Sequence, residues 1–223
     1  MDCPRATGDE IGKLCKLAKN EPQLLEDVEF LWRFAKACMH WGNSMEKKDP
    51  RRKQLIYEGL DYALKGYGKD ENNFEALRWT AVLCGATTDY LGIKERIETA
   101  KKFKGYLDIA LGRQPTEHVL LHLRGRFSYE MASLSWVEKK VCSTIFSKVP
   151  ERTFDQALDD FLEADKNAPT EWPENKLYVA RCYCKKKEKK FATEYLKAVE
   201  DLQKHDESVK EGIEDVRSMI AKI

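Results

Sequence analysis

Two histidines and two cysteines lie close enough in the sequence to be considered as metal ligands. His118 and His122 are four residues apart, so a helix places both rings on one face. Metalloproteases use this spacing for zinc, but they also carry a glutamate between the histidines, which is missing here. Cys182 and Cys184 are two residues apart, and in a helix their sulfurs point about 200° from each other. The sequence therefore predicts no metal site.

Other patterns that carry chemistry are also weak. The stretch GYGKDE contains two glycines but lacks the spacing of a phosphate-binding loop. Nothing in the sequence favours a Ser/His/Asp or Cys/His triad. We therefore expect a protein that needs no cofactor, is not an enzyme and works by binding partners.

The composition favours a helical protein that functions in the cytosol. Apolar residues make up 42% and charged residues 35%, with only 12 glycines and 7 prolines to interrupt helices. The net charge of +1 does not favour a nucleic-acid partner. Seven cysteines scattered through apolar stretches suggest small core residues in a reducing compartment. No signal peptide and no stretch of about 20 apolar residues is present, so we expect no stable membrane insertion.

Apolar residues recur at helical spacing along almost the whole chain. They predict helices at 9–19, 22–41, 51–66, 73–90, 93–111, 116–132, 135–147, 153–167, 174–185, 189–204 and 206–222. Thr153 is expected to cap the start of its helix. Many helices with short links predict an all-α fold, a right-handed α-solenoid of antiparallel helix pairs.

A tetratricopeptide-like repeat recurs within these helices. Small residues, a large apolar residue and a closing proline follow in the order Ala157, Phe161, Ala164 and Pro169. The pattern recurs in Phe103, Leu107, Ala110 and Pro115, and in Ala192, Leu196 and Val199. We predict an N-terminal helical extension at 1–21, repeat units at 22–70, 71–115, 116–169 and 170–205, and a capping helix at 206–223. The third unit is about 20 residues too long, which predicts an inserted helix.

Three segments resemble the family of regulators of microtubule dynamics. They are FLWRFAKACMHWG at 30–42, FEALRWTAVLCG at 74–85 and HLRGRFSYEMASLSWVEKKVCSTIF at 122–146. The third is the most specific, because LSW and the inserted helix are not general repeat features. The resemblance implies a cytoplasmic protein on the cytoskeleton, at spindle microtubules and spindle poles. Longer relatives carry a membrane anchor, which we do not expect in this chain, and one is tied to lipid binding.

The first helices of a repeat stack line its groove, and their groove-facing positions can be counted from the small residue of each helix. This predicts a partner-binding groove formed by Arg33, His40, Thr80, Thr87, His122, Arg126, Tyr129, Arg181 and Lys185. The set contains no acid, and arginine pairs well with carboxylates. We expect the groove to bind acidic peptide segments, such as the glutamate-rich tails of tubulin. The alternative is that these arginines pair with acids on the neighbouring second helices of the repeats.

Local basic runs form a second candidate surface for an acidic partner. They include Lys47, Lys48, Arg51, Arg52 and Lys53 in one run, and Lys101, Lys102 and Lys104 in another. We expect Pro50 to keep the first run outside both neighbouring helices. Among the tryptophans, Trp32, Trp79 and Trp136 lie at apolar helical positions, which predicts core packing.

The resemblance, taken with the predicted groove and basic runs, implies a microtubule-associated protein that regulates microtubule dynamics by binding tubulin. Two alternatives stay open. One is an adaptor that binds a regulatory protein and reaches microtubules through it. The other is a helical-repeat domain that binds lipid, which would need a continuous apolar tunnel.

Overall fold

The computed structural model describes residues 21–146, 150–202 and 207–223. Within them it contains ten α-helices and no strand, so the prediction of an all-α fold is confirmed. The helices are α1 (Val28–Asn43), α2 (Pro50–Lys69), α3 (Phe74–Thr87), α4 (Ile93–Arg113), α5 (His118–Ser133), α6 (Trp136–Ile145), α7 (Phe154–Asn167), α8 (Pro173–Lys185), α9 (Lys189–Glu200) and α10 (Glu207–Ile220). Two short 3₁₀ helices are Pro22–Glu26 and Thr88–Tyr90. The predicted helix at 9–19 lies outside the described residues, as does all but the last residue of the predicted 1–21 extension.

Polar caps fix where the helices begin. The Asp27 carboxylate accepts a hydrogen bond from the backbone N–H of Glu29, so the predicted helix at 22–41 is divided at this residue. Thr153 caps α7 in a capping box with Gln156, which confirms the predicted cap. The helix predicted at 51–66 is longer than expected, because α2 continues through Gly66 and Gly68 to Lys69.

The chain divides into two compact units, residues 1–113 and 114–223. In the first unit α1 packs against α2, α2 against α3, and α3 against α4, while α1 and α3 also lie side by side. In the second unit α5 packs directly against α7, and α8 packs against α9. The last helix, α10, packs against α8 and α9. The inserted helix α6 stands in the sequence between α5 and α7 but takes no part in their pairing. None of the described helices is both long and apolar enough to span a bilayer.

The residues of the repeat pattern form the core of these pairs. Ala157, Phe161 and Ala164 are fully buried on α7. The matching residues on the other second helices, Phe103, Leu107, Ala110, Ala192, Leu196 and Val199, are buried as well. Gly125 on α5 lies directly over the Phe161 ring, because a Cβ atom there would be 2.7 Å from Cε1 of that ring. The small residue is therefore required by the close approach of α5 and α7.

We expect Gly125→Ala to destabilise the second unit by about 1–3 kcal/mol, because the added carbon overlaps a buried ring. Urea unfolding of the two proteins measures this difference. Gly105→Ala on α4 is the matched control, since nothing lies within 4 Å of a Cβ there. Alanine has the higher helix propensity, so the control should gain up to about 1 kcal/mol. A gain at Gly125 as well would contradict the close approach.

Candidate partner-binding surface

Thr80 and Thr87 do not line a groove, so this part of the sequence prediction is wrong. Both are buried on α3, and their hydroxyls donate to backbone carbonyls of the same helix, those of Ala76 and Cys84, each at 2.8 Å. A threonine that bonds to its own helix loses little when it is buried. Because α3 packs against α1, α2 and α4, it has less exposed surface than the repeat pattern suggests.

Arg33 and His40 do remain exposed on α1. The Arg33 guanidinium lies 4.2 Å from the Trp32 ring centroid and pairs with Glu29 at 2.6 Å. His40 meets the Trp79 ring edge-on at 5.9 Å. The sequence prediction missed Glu29, which lies one turn before Arg33 on the same helix. Arg33 and His40 therefore both lie against tryptophan rings, and Arg33, the one arginine that the predicted set places in the first unit, already has a carboxylate partner.

His122 and Tyr129 were predicted to face the groove of the second unit, and this prediction is also wrong. Both side chains are buried, with His122 only 5% exposed. Tyr129 packs edge-on against Phe154 at 5.5 Å, and burial raises the pKa of its hydroxyl. Histidine and tyrosine carry an apolar ring as well as a polar atom, so both can pack in a core. Counting them as polar residues led to the wrong prediction.

A buried hydrogen-bond network fixes the protonation of His122. The Asn175 amide donates from Nδ2 to the Phe161 carbonyl at 2.9 Å, so its Oδ1 faces Nδ1 of His122, also at 2.9 Å. Since Oδ1 is an acceptor, Nδ1 must carry the proton. Burial lowers the pKa of His122 to about 3, and the positive charge of Arg126 acts in the same direction. His122 is therefore a neutral structural group at physiological pH.

We expect acid to destabilise the second unit through His122. The pKa of this histidine is about 3 in the folded protein and 6.5 for the unperturbed side chain. Between these values the unfolded chain binds a proton that the folded chain excludes, so stability falls as pH falls below about 6.5 and is unaffected above it. From about pH 7 to 5 the loss should be about 2 kcal/mol. Urea unfolding at both pH values should show a smaller loss in His122→Gln; equal losses would contradict the assignment.

Three of the predicted groove residues come together on one surface of the second unit. The guanidinium carbons of Arg126 on α5 and Arg181 on α8 lie 5.4 Å and 4.7 Å from the centroid of the Tyr178 ring. Lys185 is exposed one turn after Arg181, with its Nζ 6.0 Å from the ring of Phe154. We call Arg126, Tyr178, Arg181 and Lys185 the α5/α8 cationic surface. The sequence prediction missed Tyr178, although its position three residues before Arg181 places both on one helix face.

A carboxylate of the last helix already bonds to this surface. The Nε of Arg181 donates to Oδ2 of Asp215 on α10 at 2.9 Å. The Asp215 side chain is 53% exposed, so the pair is partly screened by solvent. Because the bond is single and not bidentate, it is weaker than the fork that arginine forms with an optimally placed carboxylate. Arg181 therefore has the partner that the alternative interpretation expected, but on the terminal helix and open to competition.

The first basic run has a different position from the one predicted. Pro50 is the first residue of α2, so Arg51, Arg52 and Lys53 lie in the first turn of that helix and not in a loop. Arg51 pairs with the capping residue Asp49 at 2.6 Å. Lys47 and Lys48, before the helix, are exposed.

The second basic run lies on α4. Lys101 and Lys102 are exposed, while Lys104 pairs with Asp108 one turn later. Their role as a basic surface stays a prediction, because exposure alone does not identify a partner.

The five described cysteines are buried and form no disulfide, which confirms their prediction as core residues. Cys3 and Cys15 lie outside the described residues. Burial raises the pKa of Cys182 to about 12, so its thiol is unreactive. No three His, Cys, Asp or Glu side chains gather as metal ligands in the part of the chain that the structure describes.

The tryptophans divide into two groups. Trp79 is buried and Trp32 half-buried, as expected for residues that pack between helices. Trp136 was also predicted to pack in the core, but its side chain is 73% exposed. The sequence prediction was wrong because helical periodicity identifies an apolar face without showing whether another helix covers it.

Comparison with known proteins places the chain among close relatives. Residues 5–223 match the family described as Regulator of microtubule dynamics protein 1-3. Regulator of microtubule dynamics protein 1 of Caenorhabditis elegans is 41% identical over 86% of this chain and 86% of its own length. Regulator of microtubule dynamics protein 2 of Homo sapiens is 33% identical over 75% of this chain, but the match spans only 40% of that longer protein. Among solved structures, MamA 41-end from Desulfovibrio magneticus RS-1 matches with a TM-score of 0.48 and 13% identity, covering 88% of this chain and 94% of that one.

Proposed function

We propose a function from one premise: this chain belongs to the regulator of microtubule dynamics family. The protein binds microtubules and regulates their dynamics without catalysing a reaction. It does so by binding acidic segments of tubulin, and the α5/α8 cationic surface is the contact. We infer a place on the cytoskeleton, at spindle microtubules and spindle poles.

One observation carries this proposal: two arginines of different helices lie against the same tyrosine ring. Arg126 and Arg181 are both within 5.4 Å of the Tyr178 ring centroid. Contact with a ring face orients a guanidinium, and the planar guanidinium of arginine pairs well with carboxylates. The two guanidinium groups are therefore partly ordered before the ligand binds, which lowers the conformational entropy lost on binding.

The ligand class follows from the charges on this surface. Arginine forks match carboxylates in geometry, and Lys185 adds an exposed positive charge one turn away. An extended glutamate-rich segment offers several carboxylates in series, and it has no fold of its own that would hinder its approach. Arg181 already donates a hydrogen bond to one carboxylate, that of Asp215, at 2.9 Å, which supports a carboxylate ligand for this surface.

The test is co-sedimentation of the purified chain with polymerised pure tubulin. We expect pelleting at about 50 mM salt that weakens strongly by about 200 mM, because exposed charge contacts are screened. A soluble polyglutamate peptide should compete. The adaptor alternative expects no pelleting with pure tubulin and recovery when a bridging protein is added. Salt-independent pelleting, or none at low salt, would exclude binding through the cationic surface.

A further inference from the structure

The inserted helix α6 presents two large apolar side chains to solvent. Trp136 and Val137, its first two residues, are 73% and 58% exposed. At its far end Cys142 and the following Phe146 are buried, so this end anchors the helix to the protein. The repeat pairing does not need α6, because α5 packs directly on α7. The exposed half of α6 therefore has no role in the core.

The same half of α6 is positively charged. Its single carboxylate, Glu138, is engaged in the capping box, where it accepts from the Ser135 backbone N–H at 2.9 Å and the Ser135 hydroxyl at 2.8 Å. Lys139 and Lys140 are exposed, and Nζ of Lys140 lies 5.4 Å from the Trp136 ring centroid. We call Trp136, Val137, Lys139 and Lys140 the α6 patch. It combines an aromatic anchor with positive charge.

Such a combination indicates a particular kind of partner. An exposed tryptophan beside a second apolar residue marks an interaction site, and tryptophan is prominent among the residues that dominate binding energy. Such residues contribute most when they fill a well-packed pocket, which the surface of a folded partner can provide. The two lysines match a partner surface that is acidic around the pocket. A flexible acidic tail supplies carboxylates but no pocket, so it does not fit this patch.

We propose that the α6 patch docks on the folded, acidic wall of the microtubule, separately from the tubulin tails. This rests on the proposed function, and it divides the contact in two. The α5/α8 cationic surface binds the tails, while Trp136 inserts into the wall and the two lysines face its carboxylates.

Microtubules whose acidic tails have been removed by limited subtilisin digestion isolate the second contact. We expect the wild-type chain to pellet with them, more weakly than with intact microtubules. The variant Trp136→Ala/Val137→Ser should bind them at least about tenfold more weakly, yet bind a free polyglutamate peptide as the wild type does. Ile109→Ser on α4 is the matched control, since this residue is also apolar and 45% exposed. The control should behave as the wild type in both assays.

The possible failures are distinguishable. If the wild type pellets with intact but not with digested microtubules, the α6 proposal is overturned and the proposed function stands. If it pellets with neither, both fail. Undiminished pelleting of the double variant also overturns the patch. The patch proposal is also overturned if the double variant is defective only in binding phosphatidylserine vesicles, or only in self-association measured by sedimentation velocity. The occupant of the patch is then a membrane or a second copy of the chain.

Discussion

Replacing Phe161 by alanine should lower the free energy of unfolding of the second unit by about 3–5 kcal/mol. The ring is fully buried between α5 and α8, stacked on Tyr178 at 5.2 Å and 5.4 Å from the His122 ring. It also fills the space above Gly125. Its removal leaves a cavity that the surrounding helices cannot close without moving their backbones.

Phe191→Ala is a closely matched control for this prediction. Phe191 also stacks on a tyrosine, Tyr183, at 5.2 Å, but it is 44% exposed. Both variants remove the same atoms from a phenylalanine that stacks on a tyrosine at the same distance. The difference between their losses of stability therefore measures the effect of burial. We expect the control to lose less than about 1 kcal/mol. Urea unfolding measures the loss of stability in each variant, and hydrogen exchange of the α5, α7 and α8 amides shows where in the protein the loss occurs. Equal losses in the two variants would show that Phe161 is not the centre of this core.

The core could be predicted from the sequence because its residues form a pattern along the chain. Ala157, Phe161 and Ala164 follow the spacing at which two helices can approach closely. The burial of these residues depends only on that spacing and on a neighbouring helix. The inserted helix was equally visible, because the distance between matching residues of consecutive units was about 20 residues too long.

The partner-binding residues were only partly predictable, because their exposure depends on distant residues. His122 was counted as groove-facing, but its hydrogen-bond partner Asn175 lies 53 residues later and holds it in the core. Arg181 was counted as groove-facing, and the acid it pairs with, Asp215, lies 34 residues later on the last helix. No local pattern announces such pairs, since they form only when the helices assemble. The prediction for Trp136 was wrong for the opposite reason, because none of the described helices covers its side chain.

The hydrogen bond between Arg181 and Asp215 should limit the affinity of the α5/α8 cationic surface for its ligand. The Asp215 carboxylate occupies a donor of Arg181 that an acidic ligand would use, so ligand and Asp215 compete for one guanidinium. The competition is mild, because Asp215 is half exposed and forms a single bond. Asp215→Asn removes the competing charge and keeps the shape of the side chain.

Charge reversal at Arg126 and Arg181 together should weaken binding of a fluorescent polyglutamate peptide at least about tenfold, since two charge-assisted contacts become repulsive. Asp215→Asn should change affinity in the opposite direction, by about two- to fivefold. Fluorescence anisotropy at low salt measures both. Lys94→Glu/Lys197→Glu carries the same change in net charge on two exposed lysines elsewhere and should have a much smaller effect. Charge reversal at Arg181 would place a second negative charge beside Asp215. The uncharged variant Arg126→Gln/Arg181→Gln is therefore compared as well. Binding that follows net charge alone, with the control as weak as the double reversal, would show that the acidic segment does not recognise this surface.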